Sequence, residues 1–197
     1  MKIIFQDRWL VVVDKASGMP TQATKEGLPG LFERLKRSVG ERITLHHRLD
    51  QPASGLVIFG AHPKANKSLA RDFREHAIRR SYQAVLQGVA EPGPWSWPVG
   101  GKTARSNMTQ VGQAAGLTAV NVQLHTGRKH QIRVHAAMAG TPVMGDRRYG
   151  AEAGRAWPRL ALHASSLAFK HPVTGEQLVL EAPLPADLQT LWERAGG

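Results

Sequence analysis

The apolar residues of this chain fall mainly into short alternating runs bounded by turn residues, which is the pattern of half-buried β-strands. Strands are predicted at residues 3–5, 9–13, 81–87, 117–124, 160–169 and 177–180. Helical spacing or a helix-ending glycine predicts helices at 28–39, 63–76 and 130–138. The sequence therefore predicts an α+β fold dominated by sheet.

The segment 95–116 is rich in Gly, Ser, Thr and Asn and shows no clear period, so we expect loops joining short strands there. The chain has 197 residues, without an internal repeat or a low-complexity linker. That length suits one buried core, and a single domain over 1–197 is predicted. The chain has no cysteine, which excludes disulfides, thiolate catalysis and Cys-ligated zinc.

The chain is strongly basic. It has 26 Lys and Arg against 15 Asp and Glu, a formal net charge of +11 and a pI near 10.7. Such a charge favours a polyanionic partner, with nucleic acid preferred over simple solubility once other residues agree. Neither a signal peptide nor a segment able to span a bilayer is evident, so we expect a cytoplasmic protein with no membrane partner.

Residues 45–56 carry one acid in a distinctive place: Asp50 is expected at the end of a strand and directly precedes a turn of Pro, Ser and Gly. A turn of this composition exposes the preceding side chain at the edge of a rigid element, where catalytic groups usually lie. The neighbouring Arg48 would hold the carboxylate ionised and could equally bind a phosphate. The segment predicts an anionic nucleophile that acts on an anionic polymer.

Residues 124–135 place three basic residues and three histidines around Gly127, between a predicted strand and a predicted helix. Such a helix start suits a phosphate or a carboxylate such as Asp50. The histidines are five residues apart, off a common helical face, and no Cys or acidic ligand accompanies them. Ordinary hydrogen-bonded histidines are therefore favoured over a zinc site at His125, His130 and His135.

A second basic group lies on and just after the helix predicted at 63–76. It comprises Lys64, Lys67, Arg71, Arg74, Arg79 and Arg80. A solvated helix face balanced by Asp72 and Glu75 is the plain alternative to an RNA surface. Tyr82 next to this group could stack on a base, although a tyrosine at such a strand position is by default a core residue.

Paired carboxylates offer a rival chemistry, because a glycosidase needs two opposed acids. The chain has few candidates for a second acid beside Asp50, namely Asp14 and Asp146. Either of them could instead be a structural residue of an Asx turn. No P-loop or dinucleotide-binding glycine pattern is present, which argues against ATP-driven or redox chemistry.

Three segments, in matching order and spacing, closely resemble the ribosomal large subunit pseudouridine synthase A family. They are His-Arg-Leu-Asp at 47–50 with Ser-Gly at 54–55, Arg-Ser-Tyr-Gln-Ala at 80–84, and Thr-Gly-Arg-Lys-His-Gln-Ile-Arg-Val-His at 126–135. Further agreement lies at 13–18, 140–150, 162–164 and 171–172. The resemblance implies a mixed, largely antiparallel sheet with flanking helices and a central RNA-binding cleft. It also implies that uridine in RNA becomes pseudouridine without a cofactor or a metal.

The resemblance also assigns residue roles. Asp50 matches the catalytic aspartate, Tyr82 the tyrosine that stacks on the base, and Arg133 the cation that pairs with the aspartate. Arg48 matches an arginine that contacts RNA around the flipped nucleotide. With it we group the other candidate RNA-binding residues: Lys64, Lys67, Arg71, Arg74, Arg79, Arg80, Arg128 and Lys129.

The chain departs from the family pattern at Ala16, Ala53 and Lys129, and none of these positions is a proposed catalytic group. No S4-type RNA-binding domain is expected at the N-terminus, so the catalytic domain itself would select ribosomal or transfer RNA. A monomer is the expectation from the family. Two alternatives stay open: a catalytically inactive RNA-binding protein of the same fold, and a glycosidase that releases uracil.

Overall fold

The structure is a computed structural model that describes residues 1–150, 152 and 157–197. The strands are β1 (Lys2–Gln6), β2 (Leu10–Lys15), β3 (Thr44–Leu45), β4 (Ser54–Gly60), β5 (Arg79–Gln87), β6 (Gly93–Trp95), β7 (Ser106–Ala114), β8 (Leu117–Leu124), β9 (Leu162–Lys170) and β10 (Gln177–Glu181). The helices are α1 (Leu31–Val39), α2 (Pro63–Arg74), α3 (Gln131–Met138) and α4 (Ala186–Arg194). The predicted α+β class with a largely antiparallel sheet is confirmed.

The chain forms two compact units. The first unit comprises Met1–Arg79 and Ser166–Ala182, and the second comprises Arg80–Ser165 and Pro183–Gly197. The prediction of a single domain over 1–197 stays a prediction.

In the first unit, β2 pairs antiparallel with both β1 and β4, and β3 pairs with β4. Every residue of β4 is buried, because helices cover both of its faces. Leu56 and Ile58 join Leu69 of α2 in one core cluster, while Phe59 stacks on Phe32 of α1 at a ring distance of 6.3 Å. This two-sided burial explains why β4 is continuously apolar in sequence instead of alternating.

In the second unit, β5 pairs with β8, β8 with β7 and β7 with β6, all antiparallel. The nine-residue β7 lies in the segment expected to consist of loops and short strands. Its buried positions are Ser106 and Met108, and most of the others are exposed, so it carries no apolar alternation. The helix α4 buries Leu188 and Leu191 and had not been predicted from the sequence.

Within the described residues, no helix combines the length and apolar character needed to cross a lipid bilayer.

His135 is a fully buried polar group of the second unit. Its Nε2 donates to the Trp97 carbonyl at 2.9 Å, so Nδ1, 3.2 Å from Ser106 Oγ, accepts from that hydroxyl. Burial lowers the pKa of His135 below its ordinary value, and the hydrogen bond to Trp97 opposes this shift only in part. The folded protein therefore holds this imidazole neutral.

Acidification should cost stability through His135. Below the ordinary histidine pKa of 6.5, the unfolded chain takes up a proton that the folded chain resists. The free energy of unfolding should therefore decrease as the pH is lowered below 6.5, and it should level off below the pKa that His135 has in the folded protein. Urea denaturation at several pH values should show a steeper fall for the native protein than for His135→Gln. His46, whose pKa is also lowered by burial, is common to both proteins. Equal pH dependence would contradict this assignment.

Candidate active site

Asp50 lies in the first unit, on the chain that leads into β4. The strand expected to end at Asp50 is limited to β3, and residues 46–50 form no strand. The turn itself is as predicted, because the Asp50 carbonyl accepts a hydrogen bond from the amide of Ala53 at 3.1 Å. Leu49 is buried and Asp50 is half-buried.

Lys15, at the end of β2, ties the Asp50 turn to the N-terminal part of the chain. Its side chain is fully buried. Nζ donates to the carbonyls of Ala16 at 3.0 Å, Met19 at 2.8 Å, Gln51 at 3.2 Å and Ala53 at 2.5 Å. Several carbonyl dipoles thus offset the cost of burying an ammonium group. The lysine joins the 16–19 segment to the residues that follow Asp50.

Further hydrogen bonds fix the chain on either side of Asp50. Thr21 Oγ1 donates to the Leu49 carbonyl at 2.8 Å, and the Leu49 amide donates back to the same hydroxyl at 3.1 Å. The Gly18 amide donates to the Gln51 carbonyl at 2.9 Å. Both neighbours of Asp50 are therefore held to residues 18–21. A side chain at this position has a defined direction, as a catalytic group requires.

His47 and Arg48 precede Asp50 and differ in their surroundings. The amide of Ile58 donates to His47 Nε2 at 3.0 Å, and the imidazole stacks on Phe73 with ring centroids 4.7 Å apart. His47 is therefore part of the packing against β4 and α2. Arg48 is exposed, and its Nη1 lies 3.5 Å from Gln22 Oε1.

Tyr82 and Arg133 both belong to the second unit. Tyr82 lies on β5 opposite Val122 of β8 and is 7% exposed. Arg133, near the start of α3, forms a bidentate ion pair with Asp146: Nε to Oδ2 at 2.8 Å and Nη2 to Oδ1 at 2.9 Å. The guanidinium also lies over the ring of Tyr149, 5.1 Å from its centroid.

Asp146 is buried and is part of the same arrangement. Its Oδ1 accepts hydrogen bonds from the amides of Arg148 at 2.9 Å and Tyr149 at 3.0 Å, as in an Asx turn. Burial alone would raise the pKa of Asp146, but the hydrogen bonds from Arg133 and from the two amides outweigh burial and lower it. The structural interpretation of Asp146 therefore has direct support, and its role as an Arg133 partner was not foreseen from the sequence.

The basic turn that follows β8 is organised by the buried Gln131. Its Oε1 accepts from Thr126 Oγ1 at 2.7 Å and from the Arg128 amide at 2.9 Å. Its Nε2 donates to the Arg105 carbonyl at 3.0 Å and to Ser106 Oγ at 2.9 Å. The Gln131 side chain therefore holds this turn against the start of β7.

This turn borders a cavity of about 490 Å³ within the second unit. Its polar lining comprises Lys102, Arg128, Lys129, His130, Arg148 and Tyr149. His130 Nδ1 lies 2.9 Å from the Tyr149 hydroxyl. Arg128 and Lys129 had been selected from the sequence, whereas Lys102 and Arg148 had not. A signal existed for Arg148, because the segment 140–150 belongs to the resemblance.

The structure divides the second basic group. Lys64, Lys67 and Arg74 are exposed on α2, while Arg71 on the same helix pairs with Asp72 at 2.9 Å. Arg79 is exposed at the start of β5. Arg80 is different: it is buried on the strand, with 8% of its surface exposed.

Comparison with known proteins identifies the family. Residues 9–138 match the family model described as RNA pseudouridylate synthase. The dual-specificity RNA pseudouridine synthase RluA of Escherichia coli is 34% identical over 207 residues, which cover 92% of each chain. The tRNA pseudouridine synthase C of Salmonella typhi is 30% identical over 93% of this chain and 85% of its own.

Solved structures agree with this assignment. Human RNA pseudouridylate synthase domain containing 1 superposes with a TM-score of 0.76 at 25% identity, covering 93% of this chain and 83% of its own. Human RNA pseudouridylate synthase domain containing 4 shares the fold, with a TM-score of 0.79 at 22% identity over 99% and 93% of the two chains. The chain therefore belongs to the RNA pseudouridylate synthase family, and it is an isomerase that converts uridine in RNA to pseudouridine.

Proposed function

We propose that this enzyme modifies uridines in ribosomal or transfer RNA and that Asp50 is its catalytic carboxylate. The observation that carries the proposal is the frame around Asp50, in which Lys15 and Thr21 fix the backbone on both sides of this one acid. Two of the relatives support the substrate class, since their names specify dual-specificity RNA and tRNA pseudouridine synthases.

The reaction needs no net gain or loss of atoms. Asp50 either attacks C1′ of the ribose, forming an ester that breaks again when C5 bonds to C1′, or assists loss of the base without forming a bond. In both cases the bond between N1 of uracil and C1′ of ribose breaks. The uracil rotates within the site, a new bond joins C5 to C1′, and C5 releases its proton while N1 gains one. Such a step depends on keeping the detached base in place and water away from the sugar.

Tyr82 and Arg133 complete the proposed chemistry. Tyr82 stacks on the uracil and assists removal of the C5 proton, and Arg133 is the cation that orients the catalytic carboxylate. The bidentate pair with Asp146 supports the role of Arg133, because it fixes the guanidinium in one orientation before RNA binds.

A uridine must leave its stack before its glycosidic bond can be reached, at a cost of about a few kcal/mol. We propose that the target nucleotide flips out, with the exposed Arg48 contacting the RNA around it. Phosphate contacts from the remaining basic residues offset that cost: Lys64, Lys67, Arg71, Arg74, Arg79, Arg80, Arg128 and Lys129.

The contribution of α2 can be tested separately. The double variant Lys67→Ala with Arg71→Ala should weaken RNA binding and lower its salt dependence, because phosphate contacts are lost. The slope of log K against log salt concentration should decrease in magnitude by about 0.7 per phosphate contact removed. Binding to tRNA transcripts across a salt series measures the slope. The matched control is Arg34→Ala with Arg37→Ala, which removes the same charge from exposed positions on α1. If both pairs lower the slope equally, α2 is a solvated face and not an RNA contact.

Tritium release from RNA that carries 5-tritiated uridine tests the proposed activity, because only loss of the C5 hydrogen liberates the label. Ribosomal and transfer RNA transcripts should be tried separately, and release from either identifies the substrate pool. Binding of both pools without release would favour the inactive RNA-binding protein. Free uracil in the mixture would favour the glycosidase.

A further inference from the structure

Arg80 lies inside the second unit although it carries a charge. It is paired with Leu124 in the register of β5 and β8, and only 8% of its surface is exposed. Its Nε is buried and has no hydrogen-bond partner among the described residues. Buried guanidinium groups are normally fully hydrogen-bonded, so an N–H group without an acceptor here calls for an explanation.

The tip of this side chain lies against Gly127, in the basic turn that follows β8. A Cβ atom built on Gly127 would lie 2.6 Å from Arg80 Nη1 and 3.4 Å from Nη2. No left-handed backbone conformation requires glycine at this position, so the requirement is for space. The absence of a side chain at Gly127 therefore leaves the space that the Arg80 guanidinium occupies.

The surroundings of this guanidinium favour an anion. Arg128 and Lys129 directly follow Gly127, and all three residues border the basic cavity that also contains Lys102 and Arg148. A buried arginine next to a glycine and further cations has the features of a phosphate receptor, since guanidinium geometry matches phosphate oxygens.

The position of Arg80 relative to Tyr82 indicates which phosphate of the RNA the arginine would bind. Alternate residues of a strand point to the same face, so these two side chains share one face of β5 and start about 7 Å apart. That spacing is comparable to the separation between the phosphate and the base of one nucleotide. We propose that Arg80, seated against Gly127, binds the backbone phosphate of the target uridine while Tyr82 holds its base. This inference rests on the proposed role of Tyr82.

Arg80→Met tests the inference, because methionine keeps much of the apolar stem and removes the charge. The melting temperature should stay at the native value or rise, since a buried N–H group without an acceptor is removed. The kcat/KM for tritium release should fall at least about tenfold, and the salt slope of tRNA binding should fall by about 0.7 to 1. Arg80→Lys should recover part of both losses.

The matched control is Arg194→Met, which removes one exposed charge from α4. It should leave the salt slope and kcat/KM near the native values. A salt slope for Arg80→Met equal to that of Arg194→Met would overturn the phosphate site. If Arg80→Met fails to fold, Gly127→Ala decides the question: displacing the guanidinium should lower the slope, and an unchanged slope would overturn the inference.

Binding and turnover separate this inference from the proposed catalysis. A native protein that binds ribosomal and transfer RNA without releasing tritium from either contradicts the proposed activity, while the salt slopes still decide whether Arg80 contacts a phosphate. An active native protein whose Arg80→Met variant shows native slope and kcat/KM contradicts only the phosphate site.

Discussion

Replacing Asp50 with asparagine should reduce tritium release from 5-tritiated RNA by about a thousandfold or more, as expected when a nucleophilic or charge-stabilising carboxylate is lost. Asparagine has nearly the same shape but carries no charge. The frame around the turn uses backbone carbonyls and amides of Leu49, Gln51 and Ala53 and should survive the change. The melting temperature and RNA binding should therefore stay close to native.

Asp14→Asn is the matched control for this experiment. Asp14 lies on β2, opposite Leu56 of β4, and was the alternative acid near the N-terminus. Its replacement removes the same charge and should leave tritium release near the native rate. Native-like release by Asp50→Asn, or an equal loss in both variants, would contradict the assignment of catalysis to Asp50.

Replacing Lys15 with methionine should lower the free energy of unfolding by about 3 kcal/mol or more, because one buried and three partly buried hydrogen bonds to carbonyls would lose their shared donor. The carbonyls concerned belong to Ala16, Met19, Gln51 and Ala53. The turn that carries Asp50 would also loosen, so kcat should fall even at temperatures where the variant is folded.

Urea denaturation measures the first effect and tritium release the second. Lys36→Met is the control, because Lys36 lies on α1 with its ammonium paired to the exposed Glu41 at 3.2 Å and 5.1 Å from the Phe32 ring centroid. That change should alter the free energy of unfolding by about 0.5 kcal/mol or less. A Lys15→Met variant with native stability and native kcat would show that the ammonium group does not hold the Asp50 turn.

The sequence predicted those elements whose burial follows a simple period. The strands β1, β2 and β10 and the helix α2, all predicted from their spacing, contribute apolar residues to a common core. The strand β4 belongs to the same core but is continuously apolar, so it has no simple period and was not predicted. The strand β7 was missed because Ser106 and one methionine supply its buried positions. The helix α4 shows that a short C-terminal segment with buried Leu188 and Leu191 can escape a pattern search.

The parts of the candidate site that depend on neighbouring residues in the sequence could be predicted. The turn after Asp50 follows from its own composition, and the structure has that turn. The contacts of Lys15 with Gln51 and Ala53 and of Arg133 with Asp146 join residues that are not neighbours in sequence, so these contacts have no local signal. Arg80 was grouped with surface cations because its neighbours are basic, and burial separates it from them.

The nucleoside composition of RNA before and after treatment tests the central claim most directly. Transcripts from the active pool should be incubated with native enzyme or with Asp50→Asn, digested to nucleosides, and separated by liquid chromatography. With native enzyme, pseudouridine should appear in the same amount as uridine disappears, without free uracil. Asp50→Asn should form pseudouridine at least about a thousandfold more slowly. Equal pseudouridine from both proteins, or uracil in place of pseudouridine, would contradict an isomerase that works through Asp50.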